Sequence, residues 1–282
     1  MLVVRWSDGG GRTRTLLFEP SDHELGRNTP YFAALAAKTP KLLQRVMSTE
    51  HAAVPDQLRA AGIDPTDVDY LAFDHLHTQD IRRWIGTIKP QRDISPNAAV
   101  QPAFPNARVI VQRKELAAMA DLHPLQKPWY QPSTYRHLRP DGVLVIDGSV
   151  VIGPGVALLA TPGHVLGNQT LVLHTDTGIW ASSENAIATE CLTPEHSRIP
   201  GVAKWARTWQ QEVILNANTL ETTAQQYNSM VIEKTIVDRA QADPRFLQFF
   251  PSSELTAHMG NPGTRPTFTH RAITHHTARH AA

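Results

Sequence analysis

Two histidines one residue apart, His75 and His77, close an apolar run in "VDYLAFDHLHTQD". On an extended segment, side chains at i and i+2 point to the same side. A strand end carrying both can therefore grip one metal ion through imidazole nitrogen. Alone, H-x-H also suits an ordinary polar strand end. Further along, "LLATPGHVLGNQTLVL" places His164 at the tip of a Pro-Gly turn between two apolar strands, a position suited to complete a three-histidine site. In "GIWASSENAIA" an apolar strand runs into a polar cluster with one carboxylate, Glu184. That segment by itself reads as a cap or a surface loop; following the two histidine elements, it becomes a candidate ligand.

The elements that must hold these residues can be read from hydrophobic pattern and breakers. "MLVVRWSDGGGRTRTLLFEPSD" reads as two strands around a Gly-rich turn. "TPYFAALAAKTPKLLQRVMSTEHAA" has helical spacing interrupted at Pro40. A short helix and a buried strand lead into the first histidines, and "DIRRWIGT" reads as a helix after them. "NARVIVQRKELAAMA" is a strand followed by a helix. Strands with turns at Asp147-Gly148 and Gly153-Pro154-Gly155 lead to His164, and two more, joined at "TDTG", lead to Glu184. From about Trp205 to Ala240 the pattern is helical, and "FLQFFPSSEL" is a late short strand. Strands thus come in two blocks, each followed by helices, which suits two packed sheets with helices outside.

The chain has 282 residues and a formal charge of +1. It is long enough for one large domain, and near-balanced charge gives no general attraction to nucleic acid or an acidic membrane. A lone cysteine, Cys191, excludes an internal disulfide and fits a reducing compartment. No segment approaches the roughly 18 unbroken apolar residues of a membrane helix, and "MLVVRWSDGG" lacks the pattern of a signal peptide. The expectation is a cytoplasmic protein with a single domain over residues 1–257. The polar segment 258–282 is expected to be a weakly packed tail, its histidines (His270, His275, His276, His280) solvated.

The order H-x-H at a strand end, then a Pro-Gly-His turn, then an acidic strand end, resembles the metallo-β-lactamase fold superfamily. "ARVIVQRKELAAM", between the first two elements, resembles the acyl-homoserine-lactone lactonases within it. The resemblance covers roughly residues 1–255 and implies an α+β fold, an αββα sandwich of two mixed β-sheets flanked by helices, with the metal site at one edge. It implies that His75, His77 and His164 are metal ligands and that Glu184 stands where an aspartate usually bridges two metals; a shift of one residue would put Asn185 there instead.

Four positions depart from the family pattern. The motif continues H-x-H-x-D-H, and here the last pair is Gln79-Asp80. The late family histidine falls at Ser253. No tyrosine follows Glu184 where the lactonases place a general acid. The first ion's ligand set is intact in type and suits zinc, iron or manganese. The second is left with an amide, a carboxylate and a hydroxyl, so one or two divalent ions remain open.

The function this implies is a metal-dependent hydrolase of an ester, lactone or amide, with a metal-activated water and Asp80 or Glu184 taking its proton. One alternative is a non-haem di-iron redox enzyme using His75, His77, His164, Asp80 and Glu184. Another is a metal-free binding protein on a degenerate site. The expected partner is a small-molecule substrate, with neither nucleic acid nor membrane, and a homodimer is the assembly to test. Asp80 could instead cap the helix that follows it. His196 is an additional candidate that could replace the missing late histidine. Cys191 reads as a buried small residue rather than a nucleophile. "HPLQKPWYQP" suits either a loop over the cleft or a surface turn. Met230 and Ile232 read as core positions of an amphipathic helix.

Overall fold

The computed structural model describes residues 1–47, 51–131, 133–216, 221–257 and 262–270. The chain opens with β1 (Leu2–Ser7) and β2 (Thr13–Phe18), paired antiparallel across the Gly-rich turn. The short α1 (His23–Gly26) follows, capped by the Asp22 carboxylate, which accepts from the amides of Glu24 and Leu25. α2 (Pro30–Lys38) and α3 (Lys41–Met47) are separated at Thr39-Pro40, because proline has no N–H for the helical ladder. α4 (Val54–Ala60) and β3 (Tyr70–Ala72) lead to the first histidines.

After them come α5 (Arg82–Ile85) and a small hairpin of β4 (Pro90–Gln91) and β5 (Ser95–Ala99). β6 (Arg108–Gln112) runs directly into α6 (Arg113–Ala120). β7 (Val143–Ile146) follows, and then a meander of β8 (Val150–Gly153), β9 (Val156–Ala160), β10 (Gln169–Thr175) and β11 (Gly178–Ser183). The last elements are α7 (Val202–Trp209), α8 (Thr223–Ile236) and β12 (Phe249–Pro251). The expected helical stretch from Trp205 to Ala240 is therefore two helices. α7 ends at Gln210, which adopts a left-handed conformation with φ 52°.

The first sheet has the order β1-β2-β3-β6-β7, antiparallel at β1-β2 and parallel beyond. The second has the order β12-β11-β10-β9-β8, antiparallel except for β11-β12. Alternation of side chains across the strands separates the cores. Leu16, Phe18, Ala72 and Ile110 of the first sheet meet Val156, Leu158 and Leu171 of the second. On its other face, the first sheet packs Leu17, Leu71 and Val109 against Leu58, Trp84, Ile85 and Met119 from the helices. The second sheet packs Ala181 and Phe249 against Met230 of α8. The architecture is the expected αββα sandwich of two mixed sheets.

Two details differ from expectation. The buried face of α8 is Gln226, Ser229, Met230 and Glu233, so Met230 is core while Ile232 is half exposed. Within the segment expected to pack weakly, residues 262–270 lie against the body. Thr267 bonds Glu190 through its amide and hydroxyl, Phe268 stacks on Phe246, and His270 lies against Trp180 and Phe250. His275, His276 and His280 lie outside the described residues.

Candidate metal centre

Three segments at one edge of the sandwich converge. β3 delivers His75 and His77 as it leaves the first sheet. The β9–β10 turn delivers His164, and β11 ends in Glu184. The turn is held rigidly. Thr161 and Asn168 amides bond across its base, and Asn185 Oδ1 accepts the His164 amide at 3.0 Å. Gly163 allows α8 to approach; a Cβ there would lie 2.4 Å from Gln226 Cα. Thr222 Oγ1 also donates to the Gly163 carbonyl.

The three imidazoles are buried and stand edge to face, with centroids 4.4 Å (His75–His77), 4.6 Å (His75–His164) and 5.0 Å (His77–His164) apart. His77 Nδ1 lies 3.1 Å from His164 Nε2. His75 Nε2 is buried with no hydrogen-bond partner, although such groups are almost always satisfied. The Glu184 carboxylate spans two of the rings, 3.8 Å from His75 Nε2 and 3.8 Å from His164 Nε2. Donor atoms of His75, His77 and His164 all lie within 4.8 Å of one another.

A metal ion fits this set. Two nitrogens each about 2.0–2.1 Å from one tetrahedral ion stand about 3.3 Å apart, near the His77–His164 spacing. An ion would also satisfy the orphaned His75 Nε2. Three nitrogen donors and one carboxylate form a ligand set of the zinc or iron type.

The surroundings favour the neutral ring at His77 and His164, while His75 is held charged by Asp74 until an ion displaces its proton. Burial opposes protonation of every ring. At His75 the Asp74 carboxylate, 2.5 Å from Nδ1, overrides burial and raises the ring to about 9. Burial, with charge on His75, drives His164 down to about 3. Burial and the two neighbouring rings take His77 well below the ordinary value. Glu184 is raised to about 7 by burial, with His75 opposing and Asp74 adding to the shift.

Asp74 is a site residue absent from the expected set. It holds Nδ1 of His75, which leaves Nε2 for an ion, and its other oxygen accepts from Ser252. The available signal was a carboxylate directly before H-x-H. Glu19 lies behind it, accepting the Asp74 amide at 2.6 Å. Glu115 supports the histidine segment by accepting the Leu76 amide and the Tyr130 hydroxyl, each at 2.7 Å. Thr78, immediately after His77, has φ 58°, a strained backbone for a β-branched residue, and its amide donates to the Trp129 carbonyl at 2.7 Å.

The remaining expected residues go elsewhere. Asp80 does not face the cluster. Its carboxylate is engaged twice by the buried Arg82 guanidinium, at 3.0 and 2.7 Å, and also accepts the Arg82 amide at 3.1 Å. Arg82 continues to Asp93 at 2.6 Å, so Asp80 is one side of a buried ion pair at the start of α5. This removes the fifth ligand that the di-iron alternative required. Gln79 donates to Ser21 Oγ at 2.9 Å and reaches Glu19 at 3.4 Å. Ser253 does reach the site and donates to Glu184 Oε2 at 3.2 Å.

His196 lies in a turn beside Glu195 and Phe246, outside the histidine cluster. Asn185 points to the His164 amide and Glu233, which leaves Glu184 as the acidic ligand position. Cys191 is buried in the outer core under α8. A cavity of about 380 Å³, lined among others by Ser21, Asp22, Val54, Arg83 and Trp84, lies outside the cluster. Among the described residues no helix is long and apolar enough to cross a membrane.

No family model matches the chain. It is similar to N-acyl homoserine lactonases from Bacillus thuringiensis and a Bacillus species, 30% identical in each case, over 128 and 129 residues. These stretches cover 45% of this chain and 42% of each relative, so the chain spans less than half the length of the curated relatives it matches. Among solved structures it is similar to an AiiA variant from B. thuringiensis with N-decanoyl-L-homoserine bound, with TM-score 0.50 and 22% identity. That match covers 79% of this chain and 72% of the other. The chain has the metallo-β-lactamase fold.

Proposed function

We propose that this metallo-β-lactamase-fold chain is a metal-dependent hydrolase that opens a lactone, or a related ester or amide, in a small-molecule substrate. The observation that carries this is the convergence of His75 Nε2, His77 Nδ1, His164 Nε2 and the Glu184 carboxylate at one edge of the sandwich. Its similarity to acyl-homoserine lactonases favours lactones within that class. These four residues would hold a divalent ion, whose chemistry is to polarise a carbonyl and lower the pKa of water towards ~7.

The chain's own residues do the rest. Asp74 fixes the orientation of His75, and the Asn185 side chain pins the turn that carries His164. Glu184 is partly exposed while facing two histidines, so it is the carboxylate placed to accept a proton from an attacking water. The pairing of Asp80 with Arg82 favours Glu184 over Asp80 in that role.

The centre we propose holds one ion. Asp80 is paired to Arg82, Gln79 is bonded to Ser21, and Ser253 is a hydroxyl on Glu184, so none of the three completes a second set. The test is hydrolysis of a panel of lactones, aryl esters and amides by chelator-treated protein, before and after adding back zinc, iron(II) or manganese(II). Ion-dependent turnover of lactones is expected. Turnover that survives chelation, or none on any member with any ion, contradicts the proposal.

A further inference from the structure

We infer that Gln126, oriented by Glu221, is a positioning residue that determines which nitrogen His77 presents to the metal centre; this rests on the metal reading above. The two ring nitrogens of His77 have different neighbours. Nδ1 faces His164 Nε2 at 3.1 Å, and Nε2 lies 2.5 Å from Gln126 Oε1. An amide oxygen only accepts, so Nε2 must carry the proton and the lone pair falls on Nδ1. The side of His77 away from the cluster thus dictates the donor on the side facing it.

The direction of the Gln126 amide needs its own cause, because a glutamine can turn its oxygen and nitrogen about. Glu221 supplies it. Its Oε1 lies 2.7 Å from Gln126 Nε2, and a carboxylate only accepts. Turning the amide over would set oxygen against carboxylate and NH₂ against an N–H. The charge on Glu221 therefore propagates through Gln126 to the tautomer of His77.

The chain holds the relay from both ends. Gln126 is buried, its amide donates to the His123 carbonyl at 2.8 Å, and its carbonyl accepts from Trp129 at 3.0 Å. Trp129 in turn accepts the Thr78 amide, which ties the loop to the residue after His77. Glu221 leads into the segment whose Thr222 clasps Gly163, next to His164. Two further ionisable groups among the described residues lie beside the relay: the exposed His123, whose Nδ1 is 4.0 Å from Glu221, and the buried Tyr130, whose ring centroid is 4.7 Å from that of His77. Residues 123–131 of the "HPLQKPWYQP" segment therefore pack against His77 through Gln126, Trp129 and Tyr130.

The experiment reads the His77 tautomer by long-range proton–nitrogen NMR in metal-free full-length protein, and Zn²⁺ affinity by chelator competition. In the wild type, His77 should be the Nε2–H form. Gln126→Leu should lose that bias and weaken Zn²⁺ by about 10–100-fold, the usual cost of removing a partner of a ligand histidine. Glu221→Gln should give mixed tautomers, because its amide no longer forces one direction. Gln126→Glu alone sets two carboxylates together and should bind Zn²⁺ poorly. Gln126→Glu combined with Glu221→Gln restores a donor facing the new carboxylate and should recover wild-type affinity, a rescue that loss of packing would not give. Should Gln126→Leu fail to fold, Glu221→Gln and the double variant still decide. An Nδ1–H tautomer in the wild type, or Zn²⁺ affinity and tautomer unchanged in Glu221→Gln, overturns the inference. A wild-type protein that takes up no Zn²⁺ sinks the metal reading instead, while the tautomer measurement still judges the relay.

Discussion

Replacing Glu233 with glutamine should change how stability depends on pH. Glu233 is fully buried on α8, and its Oε1 accepts from Thr170 Oγ1 at 2.6 Å, Ser183 Oγ at 2.8 Å and Asn185 Nδ2 at 2.9 Å. Its Oε2 is buried with no hydrogen-bond partner. Burial raises the carboxyl from 4.5 to about 7, against the opposing pull of the three hydrogen bonds. Between those values the folded state binds more protons than the unfolded state, so stability falls as pH rises from about 4.5 to about 7 and then levels off. That interval, at about 1.4 kcal/mol per pK unit, is worth on the order of 3 kcal/mol. Glu233→Gln keeps the accepting oxygen and cannot ionise. Urea unfolding of both proteins from pH 4.5 to 8 should show the difference shifting towards the variant by on the order of 3 kcal/mol. Taking the difference cancels other titrating carboxyls that are not coupled to this one. A difference independent of pH refutes the reasoning.

Removing Arg82 as Arg82→Met leaves Asp80 buried without its partner and should cost roughly 3–5 kcal/mol in urea unfolding. Adding Asp80→Asn should recover much of that, with metal content per folded chain unchanged throughout. Asp74→Asn keeps the shape beside His75 but removes the charge. It should weaken zinc about 10–100-fold by chelator competition while the circular dichroism spectrum stays that of the wild type.

The legible part of the site was the part carried by period and turn chemistry. H-x-H on an extended segment and a histidine on a Pro-Gly turn have geometry fixed by backbone rules, and the structure brings His75, His77 and His164 together. Asp80 was misplaced because its partner is itself buried; an arginine two residues on reads as a surface charge until Asp93, arriving from the β4–β5 hairpin, closes the other side. Asp74, Gln126 and Glu221 were missed because their roles exist only through contacts made by the fold. Helix α8 shows the same limit. Its buried face is mostly polar, since Gln226, Ser229 and Glu233 bond the turns around the histidines, so hydrophobic periodicity put Ile232 inside.

The central claim is that these residues hold a single catalytic ion. It is tested most directly by elemental analysis of protein purified without chelator, beside His75→Ala and His164→Ala. The account predicts one ion per chain in the wild type, lost in both variants without loss of fold. Two ions per chain, none, or one that survives both substitutions would contradict it.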